Sequence, residues 1–192
     1  KEEAVVRIDP AQLDQLLHPI IDPDAKVNVV AHGLNASPGA ASGAIVFDAD
    51  TAADRGKEGD AVILVRWETT PDDFHGIVGA KGILTSHGGL TSHAAVVARG
   101  MGKPCVTGCE ALTVDAAAKI ARLPGHELRE GDMITIDGGT GAVIVGLVPL
   151  VPPRINDDFQ RVLEWADGAR RLRVRTTADS PADAAKAREF GA

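Results

Sequence analysis

Between Val27 and roughly Leu147 the chain is written as short β-branched runs broken by glycine-rich turns, a pattern that limits its fold more than any other feature. The runs are VNVVA (27–31), GAIVF (43–47), AVILVR (61–66), GILT (82–85), PCVT (104–107), MITID (133–137) and AVIVG (142–146). Each is long enough for a strand and too short for a stable helix. Two helices are expected among them, one opening at Pro71 with Thr69 or Thr70 as cap, the other opening around Thr91. Gly138-Gly139-Thr140-Gly141 joins the last two runs as a hairpin. Strands and helices mixed in this way predict one α/β domain.

The flanks read differently. From Lys1 to Ile21 an extended piece, VVRI, leads into a helix with Asp9 as N-cap, Pro10 in the first turn and Leu13, Leu16 and Leu17 on one face. Residues Ile21 to Lys26 then read as a linker. After Leu147 come VPLVPPRINDD, an amphipathic helix around FQRVLEWADGARR, a strand LRVRT, and a helix SPADAAKAREF with Ser180 as cap and Pro181 in its first turn. A lone strand and helix cannot make a sheet, so this pair reads as the first βα unit of a further domain and the chain as a fragment of something longer. Three parts are expected: a linker segment 1–26, a central domain 27–147 and a C-terminal segment 148–192. The connectors Ile21–Lys26 and Val148–Asp158 are expected to let the centre swivel.

A formal charge of −7 and only 3% aromatic residues leave neither a basic groove nor a stacking platform for nucleic acid. The most apolar run, Ala142 to Val151, is short and broken by Gly146 and Pro149, so no membrane span and a cytoplasmic location are expected. Cys105 and Cys109 lack the further ligands of a zinc site and read as reduced, buried thiols.

The chemistry concentrates in ILTSHGGLTSHAAVVARG, residues 83–100, where Leu-Thr-Ser-His occurs twice. If Gly88 and Gly89 turn the chain and Thr91 caps the helix, the N–H groups of Ser92, His93 and Ala94 converge on one point, an anion site. The hydroxyls of Thr91 and Ser92 add donors, and small Ala94 and Ala95 keep the backbone open to a bulky partner. Such a setting discourages protonation of His93 and stabilises a dianion on it, as a phosphoryl carrier needs. The plainer alternative is a capping histidine after ordinary turn chemistry. His87, at a strand end before the glycines, is at most a supporting neighbour. His18, His32, His75 and His126 have no evident convergent partners.

GILTSHGGLTSHAAVVARGMGKPCVTGC, with GLNASPGAASGAIVF (33–47), VRWETTPDD (65–73) and DGGTG (137–141), resembles the phosphohistidine segment of the pyruvate, phosphate dikinase family. DPAQLDQLLHP (9–19) is similar to that family's leading linker, and VRTTADSPADAAKAREFGA (174–192) to the opening of its phosphoenolpyruvate-binding barrel. The resemblance implies a swivelling β/β/α phosphohistidine domain with flanking helical linkers, between an ATP-grasp domain and the barrel of the same full-length chain. It implies that His93 takes a phosphoryl group from ATP, with phosphate giving AMP and pyrophosphate, and passes it to pyruvate. Gly88, Gly89, Thr91 and Ser92 would support the phosphate, and Thr91 would be a target of regulatory phosphorylation. Mg²⁺ would serve the full-length homodimer, with no metal held by this segment. Where the family usually has arginine and methionine, this chain has His87 and Leu90. Phosphoenolpyruvate synthase and enzyme I of the sugar phosphotransferase system are the neighbouring readings. A non-catalytic swivelling docking module is a third, against which the intact Thr91, Ser92 and His93 speak.

Overall fold

Every side chain from Val62 to Val65 is apolar, so a strand there must be covered on both faces. The computed structural model, which describes residues 1–9, 17–153, 157–173, 175–176 and 181–189, places it inside an eight-stranded sheet. The strands are β1 (Ile20–Ile21), β2 (Val29–His32), β3 (Leu34–Ser37), β4 (Ala40–Val46), β5 (Val62–Arg66), β6 (Gly82–Thr85), β7 (Cys105–Thr107), β8 (Thr113–Asp115), β9 (Ile120–Leu123), β10 (His126–Arg129), β11 (Met133–Asp137), β12 (Ala142–Val145) and β13 (Leu150–Val151). The helices are α1 (Glu2–Arg7), α2 (Ala49–Lys57), α3 (Phe74–Gly79), α4 (His93–Gly100), α5 (Asp157–Ala169) and α6 (Pro181–Glu189). The large sheet runs β2-β12-β11-β4-β5-β6-β7-β3. Its centre, β4 to β7, is parallel, with α2, α3 and α4 as successive crossovers.

Period-two alternation sorts the central side chains into two cores. Val46, Val62, Leu64 and Ile83 pack with Ala52, Ile77, Ala94, Ala95 and Ala98 of the helices. Ile45, Ile63, Val65 and Leu84 pack on the other side with Ala121, Leu123 and Leu128, which belong to the antiparallel sheet β10-β9-β8. The result is the expected β/β/α layering. The hairpin is also present: Asp137 pairs with Ala142, and the Gly141 N–H donates to the Asp137 carbonyl at 2.7 Å.

Several expectations are corrected. The first three residues of VVRI, Val5 to Arg7, lie in helix α1 rather than an extended piece, and only Ile8, its C-cap, is extended; Glu2 and Glu3 in the first turn and Arg7 in the last suit the helix dipole, and Arg7 pairs with Glu3 at 2.6 Å. Helix α2 was unexpected because its buried face is alanine: Ala49, Ala52 and Ala53. That face packs so closely on α3 that a Cβ at Gly79 would lie 2.5 Å from the Ala52 carbonyl oxygen. Strand β3 and the β8–β10 meander were also missed, the latter because its inward face carries only Ala121, Leu123 and Leu128 as buried apolar residues. Leu172, Arg173, Arg175 and Thr176 are not in a strand. The helix expected from Asp9 and the Ser180 cap fall largely or wholly on residues outside the described ones.

The chain divides into two units, Asp14–Pro153 and, from its two ends, Lys1–Leu13 with Arg154–Ala192. In the second unit α1 packs on α5, with the Lys1 ammonium 5.8 Å from the Trp165 ring centre. In the first, β1 pairs antiparallel with β13, and the Asp22 N–H donates to the Pro149 carbonyl at 3.0 Å. Residues 20–22 and 149–151 therefore run side by side. No described helix is long and apolar enough to cross a membrane.

Cys105 and Cys109 are free and fully buried. Burial pushes the Cys105 thiol up to about 12 against the opposing charge of Arg99, and burial raises Cys109 as well. The thiolate is the reactive form. Neither thiol should therefore react with a disulfide reagent at pH 8 in the folded protein, and both should react on unfolding; fast native-state labelling would contradict this burial.

Candidate functional site

The parallel strands β5 and β6 end at Arg66 and Thr85, and the segments that follow them build the site. After β6 the chain turns through Gly88, at φ +108°, a left-handed conformation that glycine adopts without strain. A Cβ there would also stand 3.0 Å from the Ser92 Cβ, so the turn closes onto Ser92 only because that atom is missing. Gly89 has open space where a Cβ would be.

The cap is Ser92, not Thr91. The Ser92 N–H donates to the Gly89 carbonyl at 3.0 Å, and its hydroxyl oxygen accepts from the Ala95 N–H at 3.4 Å. This makes His93 the first helical residue and commits one of the three N–H groups expected to converge, leaving those of His93 and Ala94 at the free first turn. Thr91 is exposed. Arg99, one helix length away, holds the loop from behind: its guanidinium donates to the Ala36 carbonyl at 2.8 Å and to the Leu90 carbonyl at 3.3 Å. Ala94 and Ala95 are buried against the sheet, so their small size serves close packing rather than access. Val96 is exposed.

The residue that sequence reasoning did not assign to the site is Thr69, considered only as a helix cap. Its buried hydroxyl lies 3.4 Å from Nδ1 of His93, while Nε2 has no hydrogen-bond partner among the described residues. Thr70 caps the turn at Pro71: its N–H donates to the Asp73 carboxylate at 2.8 Å. Arg66 pairs with Asp73 at 3.2 Å and donates to the Phe47 carbonyl at 3.0 Å. That chain of contacts fixes the segment carrying Thr69, and no local sequence signal ties it to a histidine 24 residues later.

His87 is exposed and stacks on Trp67, with ring centres 4.4 Å apart and planes inclined by 25°. Of the histidines thought partnerless, His75 pairs with Asp50 at 2.9 Å, and Nδ1 of His126 meets the Pro124 carbonyl at 3.0 Å. A cleft of about 560 Å³ bounded by Asp50, Phe74, His75, Lys81 and Lys103 contains neither His87 nor His93. His93 is half-buried at the start of α4 with Nδ1 facing Thr69, an arrangement that can offer Nε2 to a group brought from outside.

Residues 58–141 match the family described as "PEP-utilising enzyme, mobile domain". Over its whole length the chain is 56% identical to pyruvate, phosphate dikinase of Rhizobium meliloti and, over 193 aligned residues, 52% identical to that of Entamoeba histolytica. It spans about a fifth of those relatives, 21% and 22% of their lengths. A solution structure of an Enzyme I protein aligns over 56% of this chain and 37% of its own, at 22% identity and a TM-score of 0.33, too slight a likeness to bear on the fold.

Proposed function

We propose that this chain, which over residues 58–141 matches the mobile domain of PEP-utilising enzymes, is the phosphoryl-carrying part of a pyruvate, phosphate dikinase, with His93 as the carrier. The observation that supports this most directly is the Thr69–His93 contact. With the proton on Nδ1 facing the Thr69 hydroxyl, the Nε2 lone pair is the nucleophile. It attacks phosphorus, an N–P bond forms as a P–O bond breaks, and the departing oxygen keeps the electron pair. The phosphoryl group then lies beside the first-turn N–H groups of α4, where the helix dipole favours negative charge.

In the full reaction the donor is ATP, which with phosphate leaves AMP and pyrophosphate, and the acceptor is pyruvate, which becomes phosphoenolpyruvate. Both would be bound by other domains of the full-length chain, an ATP-grasp domain and a barrel that begins within 148–192. Residues 27–147 would move between them on the connectors that pair through β1 and β13. Mg²⁺ would be held with the nucleotide by the ATP-grasp domain. A homodimeric, cytoplasmic full-length enzyme completes the reading. Exposed Thr91 suits regulation: a phosphate there would set like charge beside phosphohistidine.

The test is to supply the full-length protein with ATP, phosphate and Mg²⁺ and to map the product under alkaline conditions by mass spectrometry. An acid-labile phosphoryl group on His93, discharged by pyruvate, is expected; absence of any adduct defeats the proposal.

A further inference from the structure

We infer that His87, carried on the face of Trp67, is the cationic partner of the phosphoryl group on His93: protonated, it supplies a positive charge that the dianion draws on. The inference rests on His93 being the carrier.

Both imidazoles hang from one three-residue stretch. Trp67 stacks under His87 and its carbonyl accepts the His87 N–H at 2.8 Å, while Thr69, two residues on, meets His93. The loop between the histidines is closed where Gly88 abuts Ser92, and the Thr85 hydroxyl donates to the His87 carbonyl at 2.6 Å. His87 is therefore fixed at its backbone and its ring, yet exposed. A ring serving only to pack would lie under other atoms. Stacking suits the neutral imidazole, and the imidazolium gains further from the indole face.

The other cations of the surrounding segments are committed: Arg66 to Asp73 and the Phe47 carbonyl, Arg99 to the carbonyls of Ala36 and Leu90. The remaining titratable groups on the segments packed here are Glu68, Asp72 and Asp73 beside Trp67, Glu110 beyond the Gly108 turn, and His93 itself. Histidine changes charge between about pH 5 and 8. A dianion on His93 is best met by the protonated imidazole, so the assistance belongs to the imidazolium and is lost at pH values where the ring carries no charge.

Phosphoryl uptake in a single turnover of the full-length protein, with ATP, phosphate and Mg²⁺ between pH 5.5 and 8.5, tests this. His93 must be unprotonated in every variant, so the ratio of wild type to His87→Gln isolates His87. That ratio should be about five to ten at pH 6 and fall to near one by pH 8.5. His87→Arg should keep the advantage at all pH values, and Trp67→Leu should still form the adduct with a smaller low-pH advantage. The ³¹P shift of the phosphohistidine should titrate in the wild type, with a midpoint absent from His87→Gln. A ratio that does not change with pH, or a His87→Arg that behaves as His87→Gln, overturns the inference. Failure of the wild type to form any adduct sinks the carrier reading, and this inference with it.

Discussion

Replacing His93 with asparagine leaves the full-length protein with no acid-labile phosphoryl adduct, whereas His87→Asn still forms one. The difference in size follows from the two roles. Only Nε2 of His93 is offered at the helix start with Nδ1 held by Thr69. Asparagine has no comparable nucleophile, so covalent transfer stops rather than slows. His87 offers at most a charge or one hydrogen bond, and losing a contact to a charged group costs about 1.5–3 kcal/mol where it is well formed. His87 is exposed, so solvent screening puts its loss at or below the lower end of that range, roughly tenfold in rate. His87→Arg should be active. Thermal unfolding of His93→Asn should match the wild type, because the imidazole is only half-buried and has one long contact. An adduct on His87 that persists in His93→Asn would reverse the assignment.

Gly138→Ala destabilises the central domain by about 3 kcal/mol or more, at the upper end of what overpacking does. A Cβ at Gly138 would lie 1.9 Å from the Ser37 carbonyl oxygen and 2.8 Å from the Cys105 nitrogen. Both are backbone atoms of paired strands, β3 and β7, so no rotamer change relieves the clash. The strands must part or the hairpin must move. Gly139→Ala is the control: its Cβ would meet only the Asp137 carboxylate, at 3.2 Å, and should cost less than about 1 kcal/mol. Calorimetry of the full-length protein should show this domain's transition lowered by about 10 °C or more in Gly138→Ala. A shift equal to that of Gly139→Ala would mean the close approach is not what the domain depends on.

Local pattern carried much of this. The apolar run Val62–Val65 could only be a strand covered on both faces, Gly82–Thr85 and Met133–Asp137 lie where the β-branched residues put them, and the Gly-rich turn before Ala142 made the hairpin. The helix after the paired glycines, and the choice of His93 over His87 as candidate, also came from neighbours in sequence. These are short-range effects, β-branched stiffness, turn conformation and the free N–H groups of a helix start, and a single stretch of chain specifies them.

Other features were decided by residues far apart in sequence. Helix α2 exists on an alanine face whose value lies in how closely α3 can approach, and the β8–β10 layer is held by a few side chains against a sheet built elsewhere. The sequence pointed to Thr91 as the cap of α4; in the fold Ser92 takes that place, where it meets Gly88 and Arg99 holds the Leu90 carbonyl. The partner of the candidate nucleophile, Thr69, and the indole under His87 both come from the end of β5, brought beside the β6 loop by parallel pairing of Val65 with Leu84 and Arg66 with Thr85. A parallel pair aligns the carboxyl ends of its strands, so groups separated by a whole crossover meet at one rim, and no periodicity within either segment encodes that meeting. The sequence by itself determined which histidine could stand at a helix start, and the tertiary structure alone decided which atoms hold its ring and which of its nitrogens is left to react.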